Sequence, residues 1–400
     1  MSDTNRVSLK FSPEVTAGVL SSNEFVTLPF TGTSDMGATP EMVVSDLIRS
    51  DREVSNLRKV DQSVGGGFDT ELISGAFDTL LEGVMQSSFT AESEIISVGD
   101  SIRISESGAD DILIQDGTAS AVFEDVSIGD VLRVNDGTKD YFCTVQVNPS
   151  GSAVAVTCKD LPVTAGYVTT HTIQLPGKLV NGVMPKSFSF ERGFEDANVY
   201  EYLTGMEMDT FSVSASASSL VTASFGMLGR SQSSRVGRQG GITDVTEETY
   251  GDTLNASSNL ATIGHSHPSS PTVLLADLAI VTDISLEITN NLRELNALGT
   301  VGAASIGSGE FSVTGSMSVY FEDDALLEKL LENQQTSLRF GFSAEDGSMI
   351  SFFLPAIKFT EGIPEVSGKN EDVMLNLGFQ AFAAGGIGST IRVQRFAATA

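Results

Sequence analysis

The 400-residue sequence predicts a mainly β protein, with two β units that each carry a helix, and a small β domain inserted in the first. Three observations carry this expectation. Val, Ile, Thr, Ser and Phe are abundant, tryptophan is absent and there are 39 glycines, a composition suited to short strands joined by Gly/Ser/Asn/Asp turns. The chain is too long for one ordinary core. One order of elements, a glycine-marked strand, a Leu-Leu-Glu helix and a returning strand, occurs twice, at Gly66 to Phe89 and at Gly309 to Phe340, and points to an internal duplication.

The first unit takes residues 1–90 and 177–229. Through about Pro40 the chain has apolar patches, such as Phe25 to Phe30, among Ser, Thr, Gly and Pro without helical periodicity, and reads as an extended arm. Strands are expected at Asn56 to Gln62 and Gly66 to Ile73. Ser74 to Met85 then sets Phe77, Leu80, Leu81, Val84 and Met85 at helical spacing, with Ser74 as N-cap. Residues 91–176 change character, with turn pairs at Ser107-Gly108, Asp116-Gly117, Asp136-Gly137 and Ser150-Gly151, and with 13 acidic residues against 4 basic. They read as the inserted small β domain, a solvated module. Strands resume at Ser187 to Arg192, Val199 to Thr204, Thr210 to Ala217 and Leu220 to Leu228, where Phe188, Phe190, Phe211 and Phe225 are candidate core anchors.

Residues 230–271 are rich in Ser, Gly, Asn and Thr, and are expected to be a long loop or linker. The second unit, 272–400, offers strands at Asp283 to Asn291 and Gly309 to Phe321. A helix from Asp323 to Asn333 carries Leu326, Leu327, Leu330 and Leu331, and strands follow at Ser337 to Ala344, Met349 to Thr360 and Asp372 to Phe382.

Composition excludes several function classes. Fifty-two acidic residues against 23 basic give a formal charge of −29, which repels a phosphate backbone and argues against tight nucleic-acid binding. A conduit that lets a polyanion slide past is compatible with it. The longest apolar stretches, Thr272 to Val281 and Ile350 to Ile357, fall short of the roughly 20 residues of a spanning helix. Met1 to Lys10 lacks the basic start and apolar core of a secretory signal, so synthesis in the cytoplasm is expected.

Candidate sites are few. Cys143 and Cys158 face each other if a two-residue turn falls at Ser150-Gly151; two packed thiols and a cross-strand bond formed after release from a reducing cytosol are both open. His265-Ser-His267 has metal-like spacing, but two loop histidines with His171 distant do not make a site, and no metal or cofactor is expected. The runs Gly65-Gly-Gly67 and Gly240-Gly241 lack phosphate-binding spacing, no Gly-x-Ser-x-Gly elbow occurs, and no ordered carboxylate pair nominates an acid and a base, so no catalytic residue is assigned. Arg230, Arg235 and Arg238 form a basic cluster in a stretch free of Asp and Glu from Thr210 to Thr243; they read either as a docking patch for an acidic face of a neighbouring copy or as ordinary loop charge.

Ile48-Arg-Ser-Asp-Arg-Glu-Val-Ser-Asn-Leu57, followed by Gly66-Gly-Phe-Asp-Thr-Glu-Leu-Ile-Ser-Gly-Ala-Phe-Asp-Thr-Leu-Leu-Glu82, resembles the opening signature of the major tail tube proteins of long-tailed, siphovirus-type bacteriophages. The resemblance is specific over about 40 residues and looser elsewhere. It implies a structural virion protein, not an enzyme, with two tail-tube-type β-sandwich or barrel domains, each with a flanking helix, whose sheets join around a ring, and with arms or loops linking stacked rings into a hollow tail tube for DNA delivery. Two tube-type units per chain imply a trimeric, pseudo-hexameric ring. The implied partners are other copies of the chain, tape measure, tail terminator and baseplate proteins, and DNA that passes without specific binding; the insert is expected on the tube exterior. The alternative class is a carbohydrate-binding adhesin or tail-fibre component, against which the absent tryptophan argues mildly.

Overall fold

The computed structural model describes residues 3–399 apart from 108–111, 118–121, 147, 148, 150, 159, 246–250, 258, 267–280, 322, 323, 367, 370 and 384–387. After a short 3-10 turn (Thr4–Arg6) come β1 (Val7–Pro13), β2 (Val26–Thr27), β3 (Gly32–Val44), β4 (Leu57–Glu71) and helix α1 (Asp78–Val84). Seven strands follow: β5 (Ser93–Ile96), β6 (Ile102–Glu106), β7 (Ile112–Asp116), β8 (Val131–Asn135), β9 (Asp140–Val145), β10 (Ala153–Thr157) and β11 (Thr172–Leu175). The chain continues through β12 (Gly177–Val180), β13 (Ser187–Phe194), β14 (Val199–Ser216), β15 (Thr222–Gly229), β16 (Ser231–Val236) and β17 (Leu260–Ser266). Last come β18 (Val281–Thr289), β19 (Arg293–Leu295), β20 (Ser305–Gly307), β21 (Ser312–Tyr320), α2 (Ala325–Leu331), β22 (Thr336–Ser343), β23 (Met349–Glu365), β24 (Met374–Ala381) and β25 (Arg392–Phe396).

The protein is mainly β, with two helices among the described residues. Sixteen strands form one large open sheet system. β5 to β11 form a separate seven-stranded sheet in the order β5-β11-β8-β9-β10-β7-β6, and β19 pairs with β20 alone. The seven-stranded sheet has its own core, in which Ile104, Ile114, Val134, Val156 and Ile173 are fully or almost fully buried.

One pattern of pairing is present twice in the large sheet. In the first half β1 pairs with β13, β13 with β14, β14 with β15, β15 with β4 and β4 with β3. In the second half β17 pairs with β22, β22 with β23, β23 with β24, β24 with β21 and β21 with β18. A helix follows β4 in one and β21 in the other. Register irregularities recur at matching places: between Phe188 and Phe190 as between Thr336 and Leu338, and between Met208 and Thr210 as between Phe359 and Glu361. Two glycines match as well. A Cβ at Gly66, whose φ is +116°, would lie 2.4 Å from the Met36 backbone, and one at Gly315 would lie 2.2 Å from the Ser285 carbonyl. Each lets the neighbouring strand, β3 or β18, approach where a side chain would hold it off.

The halves share a core. Phe68 and Phe77 pack on Phe225, Phe225 on Phe211, Phe211 on Phe352 and Phe352 on Phe340, with ring centroids 5.0 to 6.1 Å apart along the last four contacts. Phe188, Phe190, Phe211 and Phe225 are fully buried.

Several sequence expectations are corrected. The segment before Pro40 is not a bare arm: β1 lies against β13 and β3 runs the length of β4. The two strands expected between Asn56 and Ile73 are one, because Gly65, Gly66 and Gly67 keep their places in the ladders to β3 and β15. The strands at Val199 to Thr204 and Thr210 to Ala217 are likewise one, bent at an irregularity instead of broken. Helix α1 begins at Asp78, not Ser74: Gly75 takes φ +83°, which an α-helix does not accept, and Phe77 holds the cap position without a side-chain bond. Helix α2 begins at Ala325, with Asp324 at the cap making no side-chain bond; Asp323 lies outside the described residues. Residues 230–271 contain β16 and β17; β16 is exposed at almost every position, so no apolar alternation marks it. Gly108, Ser150, His267 and most of Thr272 to Val281 lie outside the described residues.

Candidate assembly surfaces

The β3–β4 hairpin projects an apolar end. Its strands keep pairing from Gly32 with Asp69 out to Val44 with Leu57, and the Ser45 amide donates to the Asn56 carbonyl. Beyond the body both faces meet solvent, so Met42, Val43, Val44, Leu47, Val54, Leu57 and Val60 are exposed and Ile48 is fully so. Arg49 and Asp51 pair across the tip, and Arg52 takes φ +63° to turn the chain. Exposed apolar side chains gathered at one end of a hairpin are the kind of surface that interaction sites use. Lower down, the segment between β18 and β21 braces the hairpin: Asn296 and the Gly302 amide each donate to Asp61 at 2.8 Å, and Ser63 donates to Glu294. The Gly302 amide, with the Gln62 amide second, holds the Asp61 carboxyl below its usual range.

Strand edges form a second surface. The two halves join where β14 pairs with β18, Thr210 opposite Thr289 through Ser216 opposite Asp283. β3 pairs on one side with β4, and the Ala38 amide on its other side donates to Gln232 Oε1 at 2.5 Å. β23 pairs with β22 along Met349 to Ile357, while the stretch from Glu361 to Glu365 pairs with β24. Pro40 and Pro364 stand on these two strands.

The predicted arginine cluster is partly committed within the chain. Arg238 donates to the buried carboxylate of Glu191 at 2.8 Å and to Asp244, and Lys10 also reaches Asp244. These cations hold Asp244 below the usual carboxylate range. Arg230 lies 3.6 Å from Glu207, whose carboxyl burial nonetheless pushes up. Arg235 is exposed on β16.

Cys143 and Cys158 lie opposite each other on β9 and at the end of β10, with Cα atoms 4.4 Å apart and the sulfurs bonded. Val145 opposite Val156 and Thr144 opposite Thr157 set that register. His171 is buried, its ring Nδ1 3.1 Å from the Thr170 hydroxyl, and burial lowers its pKa. His265 lies on β17. Among the described residues no group of three or more His, Cys, Asp or Glu is arranged to hold a metal ion, and no helix is long and apolar enough to cross a membrane.

Sequence reasoning missed a buried polar clasp between the seven-stranded sheet and the second half. Asp130, fully buried, accepts from Arg392 and Lys178 at 2.6 Å each and from Gln394 at 3.1 Å. Arg339 donates to the Gly129 carbonyl at 2.8 Å and stacks over Phe353, while Arg133 donates to the carbonyls of Gly347 and Ala397 and stacks over Phe396. Burial lowers the Arg339 pKa from its ordinary value. Gly129 sits against Phe353 so tightly that a Cβ there would fall 2.3 Å from the ring. No local motif announces contacts spanning more than 200 positions.

A search of curated proteins returns no match. A family profile described as "Phage tail tube protein" matches residues 4–381, a span that takes in the hairpin, the seven-stranded sheet and both halves of the repeated pairing. With nearly the whole chain covered, the protein belongs to the phage tail tube protein family.

Proposed function

We propose that this chain is the major tail tube subunit of a long-tailed phage, that its halves are two copies of one tube module, and that three chains close a pseudo-hexameric ring. Stacked rings then make the hollow tube through which DNA is delivered. The observation that carries this reading is the repeated pairing scheme, with one half joined to the other strand to strand. A unit that pairs edge to edge with its own repeat has the geometry of a ring segment, and a heterologous contact of that kind closes when its rotation allows. The exposed apolar hairpin suits contact with the next ring. A charge of −29 suits a lumen that DNA passes without sticking. The seven-stranded sheet, an acidic module clasped to the second half, is assigned to the outside, and tape measure, terminator and baseplate proteins are the expected partners of the tube.

Electron microscopy of the purified chain at high concentration tests this. Hollow filaments with six-fold modulated walls, and a ring mass of three chains, are expected. A chain that stays monomeric at every concentration would overturn the reading, and a ring of six chains would overturn the trimer.

A further inference from the structure

We infer that the far half of β23 takes β3 of a second copy as its next strand, in the register that β14 and β18 use within one chain; this rests on the tube reading above.

The matching irregularities align β14 with β23, so that Met208 and Thr210 correspond to Phe359 and Glu361. The pairing of β4 with β3 and of β21 with β18, anchored on Gly66 and Gly315, aligns β3 with β18. Carried through this alignment, Thr210 opposite Thr289 becomes Glu361 opposite Thr39 of the neighbour, and Phe211 opposite Ile288 becomes Gly362 opposite its Ala38.

The edges fit. The Asn290 amide donates to the Asp209 carbonyl and the Ala217 amide to the Thr282 carbonyl, so odd-numbered β14 residues face β18. Their counterparts on β23 are Thr360, Gly362 and Pro364. Among the described residues no strand lies along that edge, and Ile363 is 76% exposed. On β3 the outward amide of Ala38 is held by a side chain, Gln232, which a neighbour's carbonyl can replace. Pro40, two residues on, and Pro364 each remove an outward N–H, as proteins do on edges that must not pair at random. The pair Gly362 and Ala38 between them keeps both donors.

The helices show the same asymmetry. At the end of α1, buried Asn290 donates to the Val84 carbonyl at 2.8 Å, and Leu80, Leu81 and Val84 are buried. On α2, Leu326 and Leu330 are half-buried and Leu331 is 75% exposed, the state of a helix whose covering segment belongs to another molecule.

Cysteine pairs test the register. Directly opposed residues of a wide antiparallel pair have Cα atoms about 4.5 Å apart, within reach of a disulfide. Filaments of Thr39→Cys/Glu361→Cys, mildly oxidised, should yield covalent species up to a closed three-chain ring, about tenfold more than the offset pair Glu41→Cys/Glu361→Cys. Thr210→Cys/Thr289→Cys should close within one chain as a geometric control, and Gly37→Cys/Ile363→Cys is a second in-register pair should the first assemble poorly. Wild-type filaments combined with failure of both in-register pairs, or a preference for the offset pair, would overturn this junction and leave the tube reading standing. Absence of filaments from the wild-type chain would overturn both.

Discussion

Arg392 donates to Asp130 at 2.6 Å across the boundary between the seven-stranded sheet and the large sheet. Asp130 is fully buried, with Lys178 and Gln394 also bound to it and Arg339 nearby. Removing one partner of such a cluster strands the others. Asp130→Ala is expected to cost about 3–5 kcal/mol, read as a lower denaturation midpoint at unchanged slope, whereas replacing a buried charge cluster as a whole by apolar groups is often neutral.

Gly129 takes φ +86° and a Cβ there meets the Phe353 ring. Gly129→Ala is therefore expected to destabilise by about 1–3 kcal/mol through overpacking and backbone strain together. In the background of Phe353→Leu the penalty should shrink but not vanish, because the strain remains. A double-mutant cycle on melting measures the two parts.

Asp78 pairs with Arg395 on the first turn of α1, yet burial outweighs that attraction, and with Glu82 and Glu92 nearby its carboxyl is raised to about 6. The folded form thus holds this proton more tightly than the unfolded chain. Stability from this group is fully present below about pH 4 and is lost as pH rises through about 6, on the order of 2–3 kcal/mol. Asp78→Asn should flatten the stability profile between those limits; an unchanged slope would count against it.

Leu47 and Ile48 crown the hairpin and touch little of their own chain. Changing both to Asp should leave the unfolding free energy of the monomer within about 0.5 kcal/mol of wild type, as surface substitutions do. Filament growth followed by light scattering should stop. Growth at the wild-type rate would remove the hairpin from the stacking contact.

Cys143 and Cys158 close a loop with a sequence separation of 15. Reduction should lower the stability of the seven-stranded sheet by about 3 kcal/mol. Hydrogen exchange of β9 and β10 should speed up while that of β14 stays unchanged.

The strands were legible where apolar alternation meets turns, as at Phe188 and Phe190, because a pleated sheet imposes that period, and where a short apolar run is bounded by polar residues, as at Ile350 to Ile357, which is buried at every position. Breaks were misread where a glycine run or a bulge interrupts the pattern without interrupting the ladder, as at Gly65 to Gly67 and at Asp209. β16 was invisible, since an exposed strand such as Ser231 to Val236 needs no apolar face. The cysteine pairing could be reasoned out from one turn, but the Asp130 clasp could not: Lys178, Arg339 and Arg392 come from three distant segments. Arg238 was noticed for its charge, while Glu191, the buried partner that decides what that charge does, lies 47 residues away.

The seven-stranded sheet interrupts the first half in sequence, yet Asp130, Arg133 and Gly129 fasten it to β22, β23 and β25 of the second, and β12, which leaves it, pairs with β25. With β14 joined to β18 and the hairpin braced through Asp61, the halves are tied at three separated places. Two bodies tied at one line can fold about it; tied at three, they cannot. The angle between the halves is thereby set by contacts within one chain, so in the ring proposed above the bore follows from the fold of the monomer, before a second copy arrives.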